Sequence, residues 1–322
     1  MTEPDPQPLA VAPDRPGRLV YLGTPDVAVP PLGALHAAGL DIALVVTRPD
    51  KRRGRGAALL PSPVKVAAAE LGIEVDHDLE RVATVGADLA VVVAYGRIIP
   101  RSVLEQIAMV NLHFSLLPRW RGAAPVERAL LAGDTHTGVC LMEVAEGLDT
   151  GGIYGQVETE IAADDTLLSL RGRLVVIGCN LLVSRLTTSL GRPTPQGGEI
   201  THADKIDASE YEIDWTRPAV ELDRLVRLGG ARTSWRGKRL KIWSARPVDE
   251  QDLALRSHGG TVDPPAGSVT AGPGGVDGPG LLVQAGNGGL ELVEVQPEGR
   301  ARQSIKDWCN GARPVVGDRF GA

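Results

Sequence analysis

The chain has 322 residues, which is enough for one large domain or two modest ones. Its hydrophobic fraction of 43% can fill a sizeable core, so wholesale disorder is excluded. The formal net charge of -6 argues against a protein coated in positive charge for general nucleic-acid binding, although a local basic patch is still compatible with it. The three cysteines are far apart in the sequence and form no CxxC pair, which excludes a disulfide framework and a zinc knuckle.

The N-terminal residues 1–17 are rich in Pro and Asp and lack the hydrophobic stretch of a signal peptide. We interpret them as a disordered tail. No apolar run is expected to reach the roughly 20 residues that a membrane-spanning helix needs. The sequence therefore predicts a cytoplasmic protein without a membrane partner.

Apolar strands alternate with helices in the first part of the chain. The predicted strands are Arg18–Gly23, Ile42–Thr47, Ala90–Tyr95 and Val110–Phe114, and the predicted helices are Val27–Ala38, Val64–Leu71 and Val103–Ile107. Because these strands are apolar on both faces, they indicate a parallel sheet covered on two sides. We therefore expect an α/β domain with a doubly wound sheet.

The pattern changes after Asp134. Two more predicted strands, Gly138–Val144 and Ile153–Ile161, precede a long helix over Thr166–Leu190. The Gly, Pro and polar residues of 191–204 then indicate a linker.

The C-terminal third combines one helix with short strands and turn-rich connections, which predicts a small β-barrel or sandwich. The helix is Ala219–Leu228 and the strands are Leu240–Ala245, Leu281–Gln284 and Leu290–Val295. The expected divisions of the chain are a tail at 1–17, an α/β domain at 18–192, a linker at 193–209 and a β-rich domain at 210–322.

Asn111 and His113 lie two residues apart at the end of a predicted strand, so both side chains project from the same face. The carboxyl ends of strands in a doubly wound sheet face the ligand crevice. An amide N–H can stabilise a developing oxyanion, and a histidine can move a proton. On spacing alone, the alternative that His113 merely caps the strand is equally good.

Two loops could complete such a site. The loop Ser115–Gly122 follows the strand directly, so it either rims the crevice or connects elements with its Leu residues turned inward. The tripeptide Asp149-Thr150-Gly151 occurs once, whereas an aspartic protease needs two such carboxylates. Asp149 is then either a partner that orients a histidine or a solvated turn residue.

Taken in this order, the motifs resemble the signature of the formyltransferases that use 10-formyltetrahydrofolate. The quoted segments are Asn111-Leu112-His113, Ser115-Leu116-Leu117-Pro118 and Leu148-Asp149-Thr150-Gly151, supported by Leu22-Gly23-Thr24-Pro25, Arg48-Pro49-Asp50, Gly54-Arg55-Gly56, Pro61-Ser62-Pro63-Val64-Lys65, Val92-Val93-Ala94-Tyr95-Gly96 and 117–125. The resemblance is strong over 18–200 and weak over the C-terminal third. It is closest to the members that formylate methionyl initiator tRNA for translation initiation.

The resemblance implies a Rossmann-like catalytic domain followed by an OB-like barrel that binds tRNA. It implies that the acceptor amine attacks the formyl carbon, that Asn111 and protonated His113 stabilise the oxyanion, and that Asp149 supports His113. The implied folate contacts are Ser115, Leu116, Leu117, Pro118, Val93, Ala94 and Tyr95. The implied tRNA contacts are Arg48, Lys51, Arg52, Arg53, Arg55 and Lys65, which could reach phosphates. We expect a monomer.

A second basic stretch, 217–246, is either a further tRNA contact or a solvated face. The sequence departs from the family pattern in two places, one beside the catalytic histidine and one in the second domain. Phe114 follows the catalytic histidine where the family commonly has a smaller residue, and it should narrow the space there. The segment 228–235 replaces one that is usually proline-bearing in the family, which weakens the match of the second domain.

Three other functions are consistent with parts of the sequence. An N-formyltransferase acting on a nucleotide-linked amino sugar would share the same catalytic residues. A dinucleotide-binding oxidoreductase would need a Gly-rich fingerprint, but Gly23-Thr24-Pro25-Asp26 supplies one glycine. A non-catalytic RNA-binding protein would not need the intact Asn, His and Asp set. The six scattered histidines predict no metal site.

Overall fold

The computed structural model describes residues 8–53, 58–256, 264–272 and 280–321. Residue contacts divide the chain into two units. Unit 1 comprises Met1–Val126, His136–Glu160 and Leu170–Lys205, and unit 2 comprises Glu127–Thr135, Ile161–Ser169 and Ile206–Ala322. The change of unit after Lys205 falls inside the segment that the sequence predicts to be a linker.

Unit 1 contains a seven-stranded sheet, in the order β10-β9-β7-β6-β1-β2-β5, and two small strand pairs. Its strands are β1 (Arg18–Gly23), β2 (Asp41–Val46), β3 (Lys51–Arg53), β4 (Ala58–Leu60), β5 (Val75–Asp76), β6 (Leu89–Val93), β7 (Met109–His113), β8 (Arg121–Gly122), β9 (His136–Glu143), β10 (Ile153–Glu160) and β11 (His202–Ala203). The helices up to residue 187 are α1 (Val29–Ala37), α2 (Pro63–Glu70), α3 (Arg101–Leu104), α4 (Pro125–Ala132) and α5 (Leu167–Thr187), with 3₁₀ turns at Asp26–Ala28 and Leu79–Ala83.

The central strands are parallel and buried, as their uniformly apolar sequences predict. The side chains from Leu19 to Leu22 in β1 have no exposed surface. β1 pairs in parallel with β2 and β6, and β6 pairs in parallel with β7. β9 is antiparallel to both β7 and β10, so the sheet is mixed at this edge. The carboxyl ends of β1, β6 and β7 consequently lie at one edge of the sheet.

Helix α5 is long and apolar enough to cross a membrane by length and composition alone. The expectation that no apolar segment reaches that length is therefore revised. Its buried residues recur at every fourth position over Leu170–Leu186. A Cβ placed on Gly178 would lie 2.9 Å from the Leu112 side chain of β7, so the helix packs closely on the sheet. A core helix has this arrangement.

The predicted disordered tail is corrected for residues 8–17. Leu9 packs against the core cluster of unit 1, and the Ala10 amide donates to the Leu104 carbonyl at 2.9 Å. Asp14 accepts hydrogen bonds from the Ser189 hydroxyl at 2.6 Å and the Gly191 amide at 2.8 Å. Pro- and Asp-rich composition misled the prediction because these contacts are made by single residues.

Unit 2 is an antiparallel sheet in the order β12-β13-β16-β15-β14, with β17 paired to β16. Its strands are β12 (Arg232–Trp235), β13 (Lys238–Val248), β14 (Val269–Ala271), β15 (Leu281–Gln284), β16 (Gly289–Pro297) and β17 (Gln303–Ser304), and its helices are α6 (Ala219–Arg227), α7 (Glu250–Arg256) and α8 (Ile305–Ala312), with a 3₁₀ turn at Ala208–Tyr211. Phe320 forms an isolated β-bridge with Trp235 of β12, and Arg319 forms one with Ser268, which directly precedes β14. Because β12 and β14 are the two edge strands, the residues near 320 connect the two edges of the sheet. The sheet thus curls towards a barrel.

The core of unit 2 contains a cluster of aromatic rings in addition to its buried aliphatic residues. Trp215, Trp235 and Trp308 surround Phe320, with ring centroids 4.7–6.0 Å from the Phe320 ring. The Trp215 indole N–H donates to the Thr233 hydroxyl at 3.0 Å, which satisfies its polar atom inside the core. The segment 228–235, whose sequence departs from the family pattern, therefore contributes a core strand.

Candidate active site

A cleft of about 700 Å³ opens at the carboxyl ends of the parallel strands of unit 1. Its walls come from the loop after β6 (94–99), the end of β7 (111–114) and the loop after β9 (144–149). A volume of this size is typical of small-molecule sites. Its position matches the rule that open α/β sheets bind ligands outside the carboxyl ends of their strands.

The structure brings Asn111, His113 and Asp149 together in this cleft. Asp149 Oδ2 lies 3.6 Å from His113 Nδ1, and Asp149 Oδ1 lies 3.5 Å from Asn111 Nδ2. The side chains of His113 and Asp149 are 6% and 12% exposed, so the pair is largely shielded from water. Hydrogen bonds between catalytic groups are often long in the absence of substrate, and they shorten in the reacting complex.

A backbone contact fixes the tautomer of His113. His113 Nε2 lies 2.9 Å from the Trp120 carbonyl oxygen. Because a carbonyl can only accept a hydrogen bond, Nε2 carries the hydrogen and donates it. Nδ1, which faces Asp149, is therefore the ring atom that is left to exchange a proton.

Asp149 is held in an unusual backbone conformation. Its φ is +51°, a left-handed value that is uncommon for residues other than glycine. The Gly122 amide donates to Asp149 Oδ2 at 2.8 Å and so fixes the carboxylate. A Cβ on Gly151 would collide with the Glu143 carbonyl, and one on Gly152 would lie 2.8 Å from Pro193. The two glycines allow the backbone on either side to approach this loop.

The loop Ser115–Pro118 packs away from the cleft. The Ser115 hydroxyl is fully buried and donates to the Arg119 carbonyl at 2.6 Å. Leu117 packs with Cys140 and Met142, and Leu116 lies against Gly138 of β9. These four side chains are not part of the cleft wall, so their predicted contact with folate stays a prediction.

The end of β6 does reach the cleft. Ala94 and Tyr95 line it, whereas the Val93 side chain is fully buried in the sheet. Ala94 has a φ of +46°, and the Tyr95 carbonyl accepts a hydrogen bond from the Thr24 hydroxyl at 3.1 Å. Burial raises the pKa of Tyr95, so its phenol stays protonated at neutral pH. The backbone turn after β6 is thus fixed in place beside the cleft.

Cys140 lies opposite His113 in the pairing of β7 with β9. Burial raises the pKa of the Cys140 thiol to about 11. The thiolate is the nucleophilic form of cysteine, and it is therefore scarce at neutral pH. Cys140 is a core residue of the site and not its nucleophile.

The predicted tRNA contacts divide by their surroundings. Lys51 and Arg52 are exposed on the hairpin of β3 and β4. Arg48 reaches the loop after β6, where its Nη1 lies 3.8 Å from the position of a Cβ on Gly96. Lys65 is ion-paired at 2.9 Å with Asp50. The side chain of Arg53 and all of Arg55 lie outside the described residues.

The second basic stretch is more balanced than its sequence indicates. Four of its arginines form ion pairs, and two of the acids come from outside the stretch. The pairs are Arg217–Glu221, Arg227–Asp223, Arg232–Glu212 and Arg236–Asp318. Much of its positive charge is therefore compensated, and composition alone overstates it.

Phe114 is 8% exposed and lines the cleft directly after His113. Its predicted effect, to narrow the space beside the catalytic strand, stays a prediction. Across the described ranges of the chain, no group of three or more His, Cys, Asp and Glu side chains is placed to hold a metal ion. The expected absence of a metal stays a prediction.

The sequence does not predict the backbone partners of the three side chains. The Trp120 carbonyl and the Gly122 amide fall inside the motif 117–125, which marked the segment but not their roles. Gln196 and Thr201 contact the same loops, although the composition of their segment predicts a linker. No residue pattern distinguishes a free linker from one that is bound to the surface.

Comparison with known proteins identifies the family. The formyl transferase family matches residues 18–186, and the formyl transferase C-terminal domain matches residues 205–313. A methionyl-tRNA formyltransferase from Jannaschia sp. (strain CCS1) is 42% identical over 319 residues, covering 93% of this chain and 98% of that protein.

Two solved structures share the fold. HypX from Aquifex aeolicus, in complex with tetrahydrofolic acid, has a TM-score of 0.60 at 15% identity, covering 94% of this chain and 48% of that one. An N-formyltransferase from Helicobacter canadensis, in complex with folinic acid and dTDP-3-aminofucose, has a TM-score of 0.58 at 16% identity, covering 85% of this chain and 98% of that one. The predicted fold class and enzyme class are confirmed: the chain is a formyl transferase and belongs to the methionyl-tRNA formyltransferase family.

Proposed function

We propose that this enzyme transfers the formyl group of 10-formyltetrahydrofolate to the amino group of methionyl initiator tRNA, with Asn111, His113 and Asp149 as its catalytic residues. The observation that carries the proposal is the convergence of these three side chains in one cleft. The identity of 42% to a methionyl-tRNA formyltransferase over nearly the whole chain supports the choice of acceptor.

The donor supplies an activated formyl carbon, and the residues of the cleft supply charge stabilisation and proton transfer. Asn111 Nδ2 carries two hydrogens, so it can point one towards Asp149 and donate the other to the oxygen that becomes negative. A preorganised donor of this kind is worth about 2.7–4 kcal/mol in the transition state. Asn111 is thus the oxyanion donor.

His113 and Asp149 together remove the proton that the attacking amine loses. His113 Nε2 is occupied by the Trp120 carbonyl, so proton exchange takes place at Nδ1. Asp149 lies next to Nδ1 and is itself fixed by the Gly122 amide. A positioned acid or base contributes about 10²- to 10⁴-fold in rate.

The cleft has the size and polarity that the donor requires. Its wall is mostly apolar, and a few polar groups converge at the end of β7. A ligand with a flat heterocycle and one reactive polar group fits a site of this type. We further propose that Arg48, Lys51 and Arg52 contact the tRNA, and that the enzyme acts in the cytoplasm as a monomer.

The test compares acceptors. Purified enzyme receives 10-formyltetrahydrofolate with methionyl initiator tRNA, uncharged initiator tRNA or a nucleotide-linked amino sugar. Formylated methionyl-tRNA, with none from the other two acceptors, supports the proposal. Product from the amino sugar alone would keep the catalytic assignment and overturn the acceptor. No product from any of them would overturn both.

A further inference from the structure

The segment 193–203, hereafter the strap, lies along the candidate active site as an ordered part of unit 1. The Thr194 backbone exchanges hydrogen bonds with Ile153 at 2.8 and 2.9 Å. The Thr201 hydroxyl accepts a hydrogen bond from the Trp120 amide at 2.9 Å. The Ala203 carbonyl accepts from the amides of Ala123 and Ala124 at 2.9 and 3.1 Å. The strap therefore touches the loop that contains Trp120 and Gly122.

Gln196 is the strap residue that reaches the Asp149 loop. Its Nε2 donates to the carbonyl oxygens of Asp149 and Gly151, each at 2.8 Å. Its Oε1 accepts from Arg121, at 3.1 Å from Nε and 2.6 Å from Nη2. The amide group thus uses both hydrogens and both lone pairs, and a fully satisfied group of this kind is fixed in orientation.

These contacts close a ring around Asp149. Arg121 precedes Gly122, and the Gly122 amide holds the Asp149 carboxylate. Gln196 holds the Asp149 carbonyl and is itself held by Arg121. Gly122 has a φ of +125°, and a Cβ there would lie 2.8 Å from the Ala203 carbonyl, so the strap also requires glycine at this position.

We propose that Gln196 is a positioning residue, which holds Asp149 in its left-handed conformation and thereby keeps the carboxylate beside His113. A residue other than glycine in that region persists only when its surroundings determine it. The Gln196 amide supplies that restraint from the backbone side, and Gly122 supplies it from the side-chain side. The inference rests on the proposed catalytic role of Asp149.

The role predicts an effect on turnover and not on binding. Gln196 is bonded to backbone carbonyls and to Arg121 and is absent from the cleft wall. A displacement of catalytic groups by about 1 Å can lower the rate by about 10²-fold. We therefore expect Gln196→Ala to lower kcat by about 10- to 100-fold, while KM for both substrates changes by less than about twofold.

Two further variants separate positioning from a loss of strap docking. Gln196→Glu can still accept from Arg121, which keeps this contact of the strap. A carboxylate oxygen, however, replaces the Nε2 nitrogen whose two hydrogens are donated to the carbonyls of Asp149 and Gly151. This variant should lower kcat at least as much as Gln196→Ala. Glu199→Ala, an exposed change on the same strap, is the matched control and should leave kcat and KM unchanged.

The experiment measures kcat and KM of full-length enzyme for each variant, alone and combined with Asp149→Asn. If Gln196 acts through Asp149, the double variant has nearly the same kcat as Asp149→Asn alone. Unchanged kcat in Gln196→Ala and Gln196→Glu, or a full additional loss in the double variant, overturns the inference. Near-normal kcat in Asp149→Asn alone would instead overturn the proposed role of Asp149, so the two failures are distinguishable.

Discussion

The two units of the chain differ in their characteristic residues: unit 1 has a cleft with polar side chains, and unit 2 has a buried cluster of aromatic rings. In unit 1 an aliphatic core supports a cleft where Asn111, His113 and Asp149 meet. In unit 2 the buried residues include a cluster of four aromatic rings, and Trp308 in that cluster is 5% exposed. The comparison teaches that changes at the strand ends of unit 1 should alter turnover, whereas changes in the ring cluster of unit 2 should alter stability.

The largest expected effect is at His113. His113→Ala should lower kcat by about 10²- to 10⁴-fold, because the group that exchanges the proton is removed. Formyl transfer under saturating substrates measures the loss. The control is His36→Ala, which changes an exposed histidine in α1 and should leave kcat unchanged. Equal rates for the two variants would remove His113 from the mechanism.

The second largest expected effect is a loss of stability after a change in the aromatic cluster of unit 2. Trp308→Ala should reduce the free energy of unfolding by about 3–5 kcal/mol, because a buried aromatic side chain is lost from the cluster. Denaturant titration followed by tryptophan fluorescence measures it. Trp243→Ala is the control: that ring is half-buried beside Lys241 and Arg302, and its cation–π contacts are worth about 0.5–1 kcal/mol each. A comparable loss in both variants would contradict the importance of the ring cluster.

The smallest effect concerns binding of the acceptor. Changing Lys51 and Arg52 together to Ala should raise KM for tRNA with kcat unchanged. The slope of log KM against the logarithm of the salt concentration should fall by about 1–2. The physical reason is that fewer counterions are released from the tRNA phosphates. Arg15→Ala with Arg192→Ala is a control of equal charge change at two exposed sites. If both pairs shift KM equally, the hairpin is not a specific contact.

The sequence predicts the strands of this fold better than the details of its site. β1 and β15 have the predicted bounds, because their apolar residues are buried on both faces. The hairpin of β3 and β4 and the helices α4, α7 and α8 were missed, since each is short and carries polar residues. Convergence of Asn111 and His113 followed from strand periodicity, which is a local property.

The partners of those residues could not be predicted in the same way. The φ values of Asp149 and Trp120 are +51° and +64°, and no side-chain pattern announces a left-handed residue that is not glycine. Gln196 lies in a segment whose Gly, Pro and polar composition suits a free linker equally well. Its contacts depend on residues 45–75 positions away, and periodicity does not reach over that separation.

The central claim is that His113 and Asp149 act as one unit in formyl transfer. The most direct test is a double-mutant cycle with His113→Ala, Asp149→Asn and their combination, in which kcat is measured with methionyl initiator tRNA at saturation. The account predicts that the double variant is no slower than the slower single variant, because each change disables the same proton transfer. Losses that multiply, or a single variant with the wild-type kcat, would contradict it.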